Sequence, residues 1–454
     1  MEFVSKNPYT GEIKSSYPFA SRQQIDTTID AAQTAFTHWR TMSFARRGEH
    51  FKKLATLMET QKSELAATLT FEMGKPLRES SAELDKTIAA CLYYADNAEP
   101  LLKGQLLKGS DLQAEIIYQP LGVIFGIFPW NFPFWQVLRF AIPTLMAGNT
   151  AIFKHAPNVP ECSLHIQRLF EEAGFPHGVL QNLFAGLDDI EHIIAHSKIK
   201  AVTLTGSEKA GSSVAMLAGK YLKKSVMELG GSDAFVVLED ADLEKTLKAA
   251  LRSRFQNSGQ SCISAKRFIV KREIADSFTH LLVEKVKGLK QGNPFEEGIT
   301  MGTLARPDLA DKVEEQLQIT LKAGAKLLTG GKRIGPAVLE PTVISHVPLT
   351  SPAFTQEVFG PVAPIFVVDT DEEALQLANY TVYGLGASVW TQSAERARHF
   401  AEGINSGMVY INEMVRSVPE LPFGGINNSG YGRELSVYGI TEFVNIKGIY
   451  TTLS

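Results

Sequence analysis

The sequence predicts an α/β protein with a mostly parallel sheet and a second α/β unit following the first. Two observations carry this. Short apolar runs that end in polar or glycine turns alternate with helical patterns, the signature of βαβ units. The 454-residue length exceeds what one ordinary core takes, which points to two domains.

An opening helical region is expected over residues 21–94. There IDTTIDAAQTAFTHW and RRGEHFKKLATLMETQKSELAATL place apolar residues at i, i+3, i+4 and i+7. The character then changes. AEIIYQPLGVIFGIF reads as two strands punctuated by Pro120, and NTAIFKHA, AVTLTGS and KKSVMELGG each read as a short strand ending in a turn. CSLHIQRLFEEAGF is a helical pattern between them. DAFVVLEDADLEK reads as a strand followed by an Asp-capped helix and opens the second unit, which continues through KRFIVKREI, APIFVVD, GASVWT and GMVYIN. The C-terminal VNIKGIYTTL reads as a strand of the kind that pairs with another subunit. No residue-level repeat or low-complexity linker joins the halves.

The composition, 44% hydrophobic and 21% charged with 36 glycines, is that of a globular enzyme. A formal charge of −4 gives no basic footprint, so neither nucleic acid nor an anionic membrane is an expected partner. MEFVSKNPYTGEIKSS lacks the regions of a secretory signal, and LGVIFGIF is too short to span a bilayer. Cys91, Cys162 and Cys262 are widely spaced, with no CxxC and no His-Cys cluster. Neither a disulfide scaffold nor a metal site is expected, and the expected compartment is the cytoplasm.

Four stretches can carry chemistry. In AVTLTGSEKAG a strand ends at Thr205-Gly206-Ser207 and a helix begins, with Gly211 one turn in. A helix N-terminus suits a phosphate, although an ordinary serine cap has the same look. SVMELGGSD sets Glu228 at the end of an apolar strand, where desolvation would make it a general base; a strand-end glutamate facing water is the alternative. FPWNFPFW brackets Asn131 between two prolines among aromatic rings, as a fixed amide for an oxyanion would be, or as a turn asparagine would be. FQNSGQSCIS gives Cys262 small neighbours and open access, which fits a nucleophile, yet no histidine is near in sequence and a quiet cysteine stays open.

Taken together, these stretches resemble the NAD(P)-dependent aldehyde dehydrogenases over nearly the whole chain. The matching pieces are FPWNFPFW, IFKHAP, TLTGSEKAG, MELGGSD, FQNSGQSCIS, QEVFGPV and PFGGINNSGYGRE, with Glu228 and Cys262 34 positions apart. The resemblance implies a Rossmann-type cofactor domain (1–101 and 121–231), an α/β catalytic domain (232–428) and a small β oligomerisation element (102–120 and 435–454). Homodimers or homotetramers follow from the same resemblance. It makes Cys262 the nucleophile toward an aldehyde, Asn131 an oxyanion ligand together with the Cys262 N–H, and Glu228 the base that activates water against the thioester. It assigns Trp130, Lys154, Pro157, Gly206, Ser207, Gly211, Leu229, Glu357 and Phe359 to NAD or NADP.

Within the family the chain looks most like bacterial succinate-semialdehyde dehydrogenases. That likeness implies a carboxylate site at Arg139, eight residues after Asn131, assisted by Ser417, with Trp135 and Arg416 beside them. Three positions depart from patterns within the family. Gln256 stands where some members of the subgroup have a second arginine, Ser264 where some have a second cysteine, and Pro157 where many NAD-preferring relatives have a glutamate that repels a 2′-phosphate. The other readings are a broader enzyme for glutarate semialdehyde or small uncharged aldehydes, and a cofactor-free thiol esterase.

Overall fold

The computed structural model describes residues 2–108 and 113–452. Its first sheet has the order Leu180–Asn182, Thr150–Lys154, Val123–Ile127, Ile199–Thr205, Lys224–Glu228, Gly430–Tyr431. The first five strands are parallel. The sixth arrives from near the C-terminus and pairs antiparallel, Gly430 opposite Glu228. Strands Val123–Ile127 and Thr150–Lys154 are buried almost throughout, which is why they read as unbroken apolar runs.

Numbered along the chain, the five parallel strands lie in the order 3-2-1-4-5, so the winding reverses between Val123–Ile127 and Ile199–Thr205. Ligands of doubly wound sheets bind beyond the carboxyl ends of the strands at that reversal. Here those ends run into the Phe128–Trp135 loop and into Gly206-Ser207.

The second sheet has seven strands, ordered Lys326–Thr329, Thr342–Ser345, Val362–Val368, Ala265–Lys271, Asp233–Val237, Gly386–Trp390, Met408–Ile411. Only the edge strand Lys326–Thr329 is antiparallel to its neighbour. Cys262 sits just before Ala265–Lys271, at the amino edge of this sheet. The carboxyl edge of one sheet and the amino edge of the other therefore supply the two sides of one site.

The expected helical region is four helices, Arg22–Trp39, Phe44–Thr60, Lys62–Met73 and Leu77–Leu101. The break after Met73 is a left-handed Gly74 (φ 76°) followed by Lys75 and Pro76, and proline cannot continue a helix in its interior. Before them lies a hairpin that periodicity did not reveal, Glu2–Lys6 with Ile13–Pro18. Its two strands have mostly polar faces, so alternation is weak. The Val4 N–H bonds to the Pro157 carbonyl at 2.8 Å, which fixes the hairpin beside the strand-end lysine.

Pro120 ends the strand Gln113–Pro120 before Val123–Ile127 begins, as the sequence suggested. The strand Val444–Tyr450 pairs within its own chain, antiparallel along Gln113–Pro120, whose other edge is covered by Gln105–Lys108. Leu106 and Ile446 on this small sheet are exposed. Among the described residues no helix is long and apolar enough to cross a membrane.

Candidate active site

Two cavities meet at Cys262. One, about 330 Å³, is lined by Trp130, Asn131, Thr205, Gly206, Ser207 and Leu229, and by Glu357 and Phe359 across from them. The other, about 340 Å³, is lined by Glu79, Lys86, Trp135, Arg139, Arg416 and Ser417 among others. Cys262 and Gln136 belong to both walls.

The cysteine loop is held in an uncommon conformation. Asn257 and Ser258 (φ 53° each) and Gly259 (φ 75°) are successive left-handed residues, a geometry that costs roughly 1–2 kcal/mol per non-glycine residue. The surroundings over-determine it. The buried Arg254 donates to the carbonyls of Gly259 (3.0 Å) and Ala265 (3.1 Å) and to that of Gly360, tying this loop to the Glu357–Gly360 segment. The Gln260 side chain bridges the Asn257 carbonyl (3.0 Å) and the Ala305 N–H (2.9 Å). The Glu79 carboxylate accepts the Asn257 N–H at 2.7 Å. At Gly259 a Cβ would meet the Gly360 oxygen at 2.4 Å, so no side chain fits.

Cys262 is half-buried, and burial pushes its thiol up to about 11, against the pull of Lys266 and Arg139. Lys266 lies under the loop: Nζ donates to the carbonyls of Ser261 (2.8 Å) and Cys262 (2.6 Å) and pairs with Glu357 at 3.1 Å. Cys91 and Cys162 are fully buried, and burial raises both thiols. Ser264 is spent on structure, donating to the Ser253 carbonyl at 2.6 Å.

Asn131 is buried, and its amide is oriented from both ends. Gln136 Nε2 donates to Oδ1 at 2.9 Å, while Asn131 Nδ2 donates to the Gln260 carbonyl at 3.1 Å. The loop is anchored by the helix it feeds, Pro133–Met146. Glu83 Oε1 accepts the N–H groups of Phe134 (2.8 Å) and Trp135 (3.0 Å), supplying the acceptor that a helix N-terminus needs. Glu83 itself is paired with the buried Lys75.

Glu228 ends its strand fully buried, and neither carboxylate oxygen has a hydrogen-bond partner. Burial raises it well above the usual carboxylate range, the nearby Glu434 adds to this, and Arg139 opposes it. It lies against Gly424, where a Cβ would come within 2.6 Å of Oε1. It is on the wall of neither cavity, so the structure does not bring it to Cys262.

Arg139 is also buried, and its situation differs from the open fork that the sequence suggested. Its guanidinium is paired with Glu434 and lies 4.3 Å over the Phe423 ring, while Nη2 has no hydrogen-bond partner. Ser417 Oγ accepts from Trp135 Nε1 (3.0 Å) and from Lys86 Nζ. Arg416 is exposed at the pocket mouth.

On the other side, Ser207 caps the helix Glu208–Lys220 by accepting the Ala210 N–H at 3.4 Å. Gly211 packs so closely on Leu229 that a Cβ would fall 2.4 Å from its side chain. Glu357 accepts the Gly231 N–H at 3.1 Å, and Phe359 stands edge-on to Trp130 with ring centroids 5.9 Å apart. Lys154 and Pro157 lie outside this cleft's wall. Lys154 is buried, which lowers its amine to about 8, and Pro157 is exposed.

Reasoning from sequence missed Glu79, Glu83, Lys86, Arg254, Lys266 and Glu434. Three of them, Glu79, Glu83 and Lys86, share one stripe of the helix Leu77–Leu101 at i, i+4 and i+7. That stripe looks like a solvated face, and its place between two apolar faces was the available signal.

A cysteine between two cavities, with an oriented amide on one wall, is the arrangement of a thiol-based enzyme of the α/β class. The chain belongs to the aldehyde dehydrogenase family, whose model matches residues 1–449. It is 45% identical over 452 residues to a probable NADP-dependent succinate-semialdehyde dehydrogenase of Synechocystis sp., covering 99% of this chain and 100% of that one. The succinic semialdehyde dehydrogenase of Streptococcus pyogenes, solved with NADP+, superposes with a TM-score of 0.97 at 37% identity, covering 99% of each chain. An aldehyde dehydrogenase of Bacillus cereus solved with NAD+ superposes at 0.96 with 30% identity, covering 100% of this chain and 94% of that one.

The cleft suits the nicotinamide cofactor of this family. It offers a capped helix N-terminus, a close glycine approach at Gly211, and a buried Thr205 hydroxyl that has no partner within the protein.

Proposed function

We propose that the chain oxidises succinate semialdehyde to succinate with NADP, through a covalent intermediate on Cys262. The observation that carries this reading is the position of Cys262 on the walls of two cavities, one suited to a dinucleotide and the other lined by Lys86, Arg139, Arg252 and Arg416 beside Glu79, Glu83 and Glu413. An aldehyde entering the second cavity presents its carbonyl to Sγ. A new C–S bond forms as the carbonyl π pair moves onto oxygen, and the oxyanion is held by the Asn131 amide and the Cys262 N–H.

The thiol proton must leave first, because burial keeps the thiol protonated at neutral pH. Glu228, itself raised by burial, is the acceptor in this reading; it must turn from Gly424 toward the sulfur. NADP, when bound, supplies the hydride acceptor that converts the adduct to a thioester. Glu228 passes the first proton on to solvent and, as the carboxylate again, takes a proton from the water that attacks the thioester carbonyl, which breaks the C–S bond and returns the Cys262 thiolate.

Trp130, Gly206, Ser207, Gly211, Leu229, Glu357 and Phe359 are assigned to the cofactor. The names of the relatives favour NADP, and Pro157 sets no carboxylate against a 2′-phosphate while Lys154 can pair with one. Residues 1–101 with 121–231 form the cofactor domain in this reading, and 232–428 the catalytic domain. The segments 102–120 and 435–454, whose small sheet exposes Leu106 and Ile446 on its described strands, join subunits into a homodimer or homotetramer in the cytoplasm in the same reading.

Steady-state rates for a set of aldehydes with NAD and NADP test the reading, with Cys262→Ala as the blank. Succinate semialdehyde with NADP is expected to give the highest kcat/KM. No growth of reduced-nicotinamide absorbance with any aldehyde would overturn it.

A further inference from the structure

We infer that Lys86 is the cation that receives the carboxylate of the substrate, with Ser417 and the open Nη2 of Arg139 completing the site. The inference rests on the reading that the substrate is a carboxylated aldehyde.

The charges of the aldehyde pocket carry it. Arg139, the residue that the sequence pattern offers, already has a counter-charge in the buried Glu434. Glu83, the carboxylate nearest Lys86 along the same helix face, is held by Lys75 and by the N-terminus of the helix Pro133–Met146. Lys86 projects from the helix Leu77–Leu101 into the pocket, with Nζ 4.2 Å from the centroid of the Trp135 ring and donating to Ser417 Oγ. Among the described residues it has no ion-pair partner. An enclosed ammonium with one neutral acceptor and an aromatic face is poorly compensated, and such a charge is kept where a ligand supplies its opposite.

The pocket is lined by Lys86, Arg139, Ser417 and Cys262 together, so one small ligand can touch cation and nucleophile at once. A carboxylate there accepts from Lys86 Nζ and from Arg139 Nη2, a donor that otherwise has no partner. Gln256 lines the same pocket as a neutral amide, and Arg252 and Arg416, which also line it, are exposed, so Lys86 is the less accessible cation there that has no ion-pair partner among the described residues.

The test compares kcat/KM for succinate semialdehyde and butanal, which differ chiefly in the carboxylate, in the wild type and in Lys86→Met and Lys86→Arg. The ratio of the two values is expected to fall at least about 30-fold in Lys86→Met, mainly through KM, and to recover in large part in Lys86→Arg. Inhibition by succinate should weaken in parallel. Lys86→Gln replaces the methionine variant if that does not fold.

A ratio that stays within threefold of wild type in Lys86→Met overturns the inference and leaves the function standing. So does an equal loss for both aldehydes, which is the result of a merely structural role. A wild type that does not prefer succinate semialdehyde to butanal overturns the substrate reading itself.

Discussion

The two cavities that meet at Cys262 are nearly equal in size, about 330 and 340 Å³, and opposite in chemistry. The cofactor cleft is built of strand ends, glycines, a capped helix and two facing aromatic rings, with Lys266 and Glu357 already paired at its back. The aldehyde pocket gathers Glu79, Lys86, Arg139 and Arg416 from segments far apart in sequence. In the proposed reading one side recognises its ligand by shape and main-chain groups, the other by charge that the fold has partly left uncompensated. Substitutions on the two sides should therefore fail differently: on the first through cofactor affinity, on the second through choice of aldehyde and pH.

The sharpest break is expected at Glu228, the base in the proposed reading. Glu228→Gln should lower steady-state turnover by about 10²–10⁴-fold, the scale of a lost general base. Because Glu228 also takes the thiol proton in the proposed reading, the first burst of reduced cofactor should be slowed or lost too, which rapid-mixing absorbance reads directly. A full burst would mean that another group or solvent removes the thiol proton. Next, Asn131→Ala removes one oxyanion donor and should cost about 10²–10³-fold in kcat with a smaller change in KM. An effect under tenfold would show that the Gln136–Asn131–Gln260 chain of hydrogen bonds only shapes the loop.

A smaller effect sharpens the contrast through pH. Burial, helped by the nearby Arg139 and Arg416 and opposed by Glu83 and Cys262, lowers Lys86 to about 7. The ammonium is thus present below about pH 7 in the free enzyme and lost above it. Since a carboxylate binds the charged form, KM for succinate semialdehyde should rise above pH 7, at most about tenfold per unit. KM for butanal should not follow, and Lys86→Arg should abolish the rise because arginine stays charged. The smallest effect belongs to the cofactor side. Gly211→Ala sets a methyl against Leu229 and should weaken NADP binding a few-fold, about 1 kcal/mol of overpacking, with the preference among aldehydes unchanged. Titration of cofactor fluorescence against protein measures it.

The same contrast explains what was legible in the sequence. The parallel strands of the first sheet are apolar runs closed by turns, so Ile127, Lys154, Thr205 and Glu228 could be set at strand ends from the pattern alone. The cofactor side inherits that clarity because a helix cap and a glycine approach are local events. The charged pocket has no local signature. Glu83 acts on the backbone of Phe134 and Trp135, 51 and 52 positions away, and Glu434 reaches Arg139 from the far end of the chain. Glu79, Glu83 and Lys86 looked like a solvated helix stripe because nothing within a turn or two announces what covers them. The hairpin at Glu2–Lys6 and the strand Gly430–Tyr431 were missed for the same reason: their pairing is set by tertiary contact rather than by alternation.

The account turns on Cys262 carrying the acyl group between the two cavities. The direct measurement is peptide mass spectrometry on the wild-type enzyme, quenched in acid within the first turnover after mixing with NADP and succinate semialdehyde. The expected result is a succinyl group on the peptide that contains Cys262, absent when NADP is omitted. An unmodified Cys262 peptide despite formation of reduced cofactor, or an acyl group found on Cys91 or Cys162 instead, would contradict it.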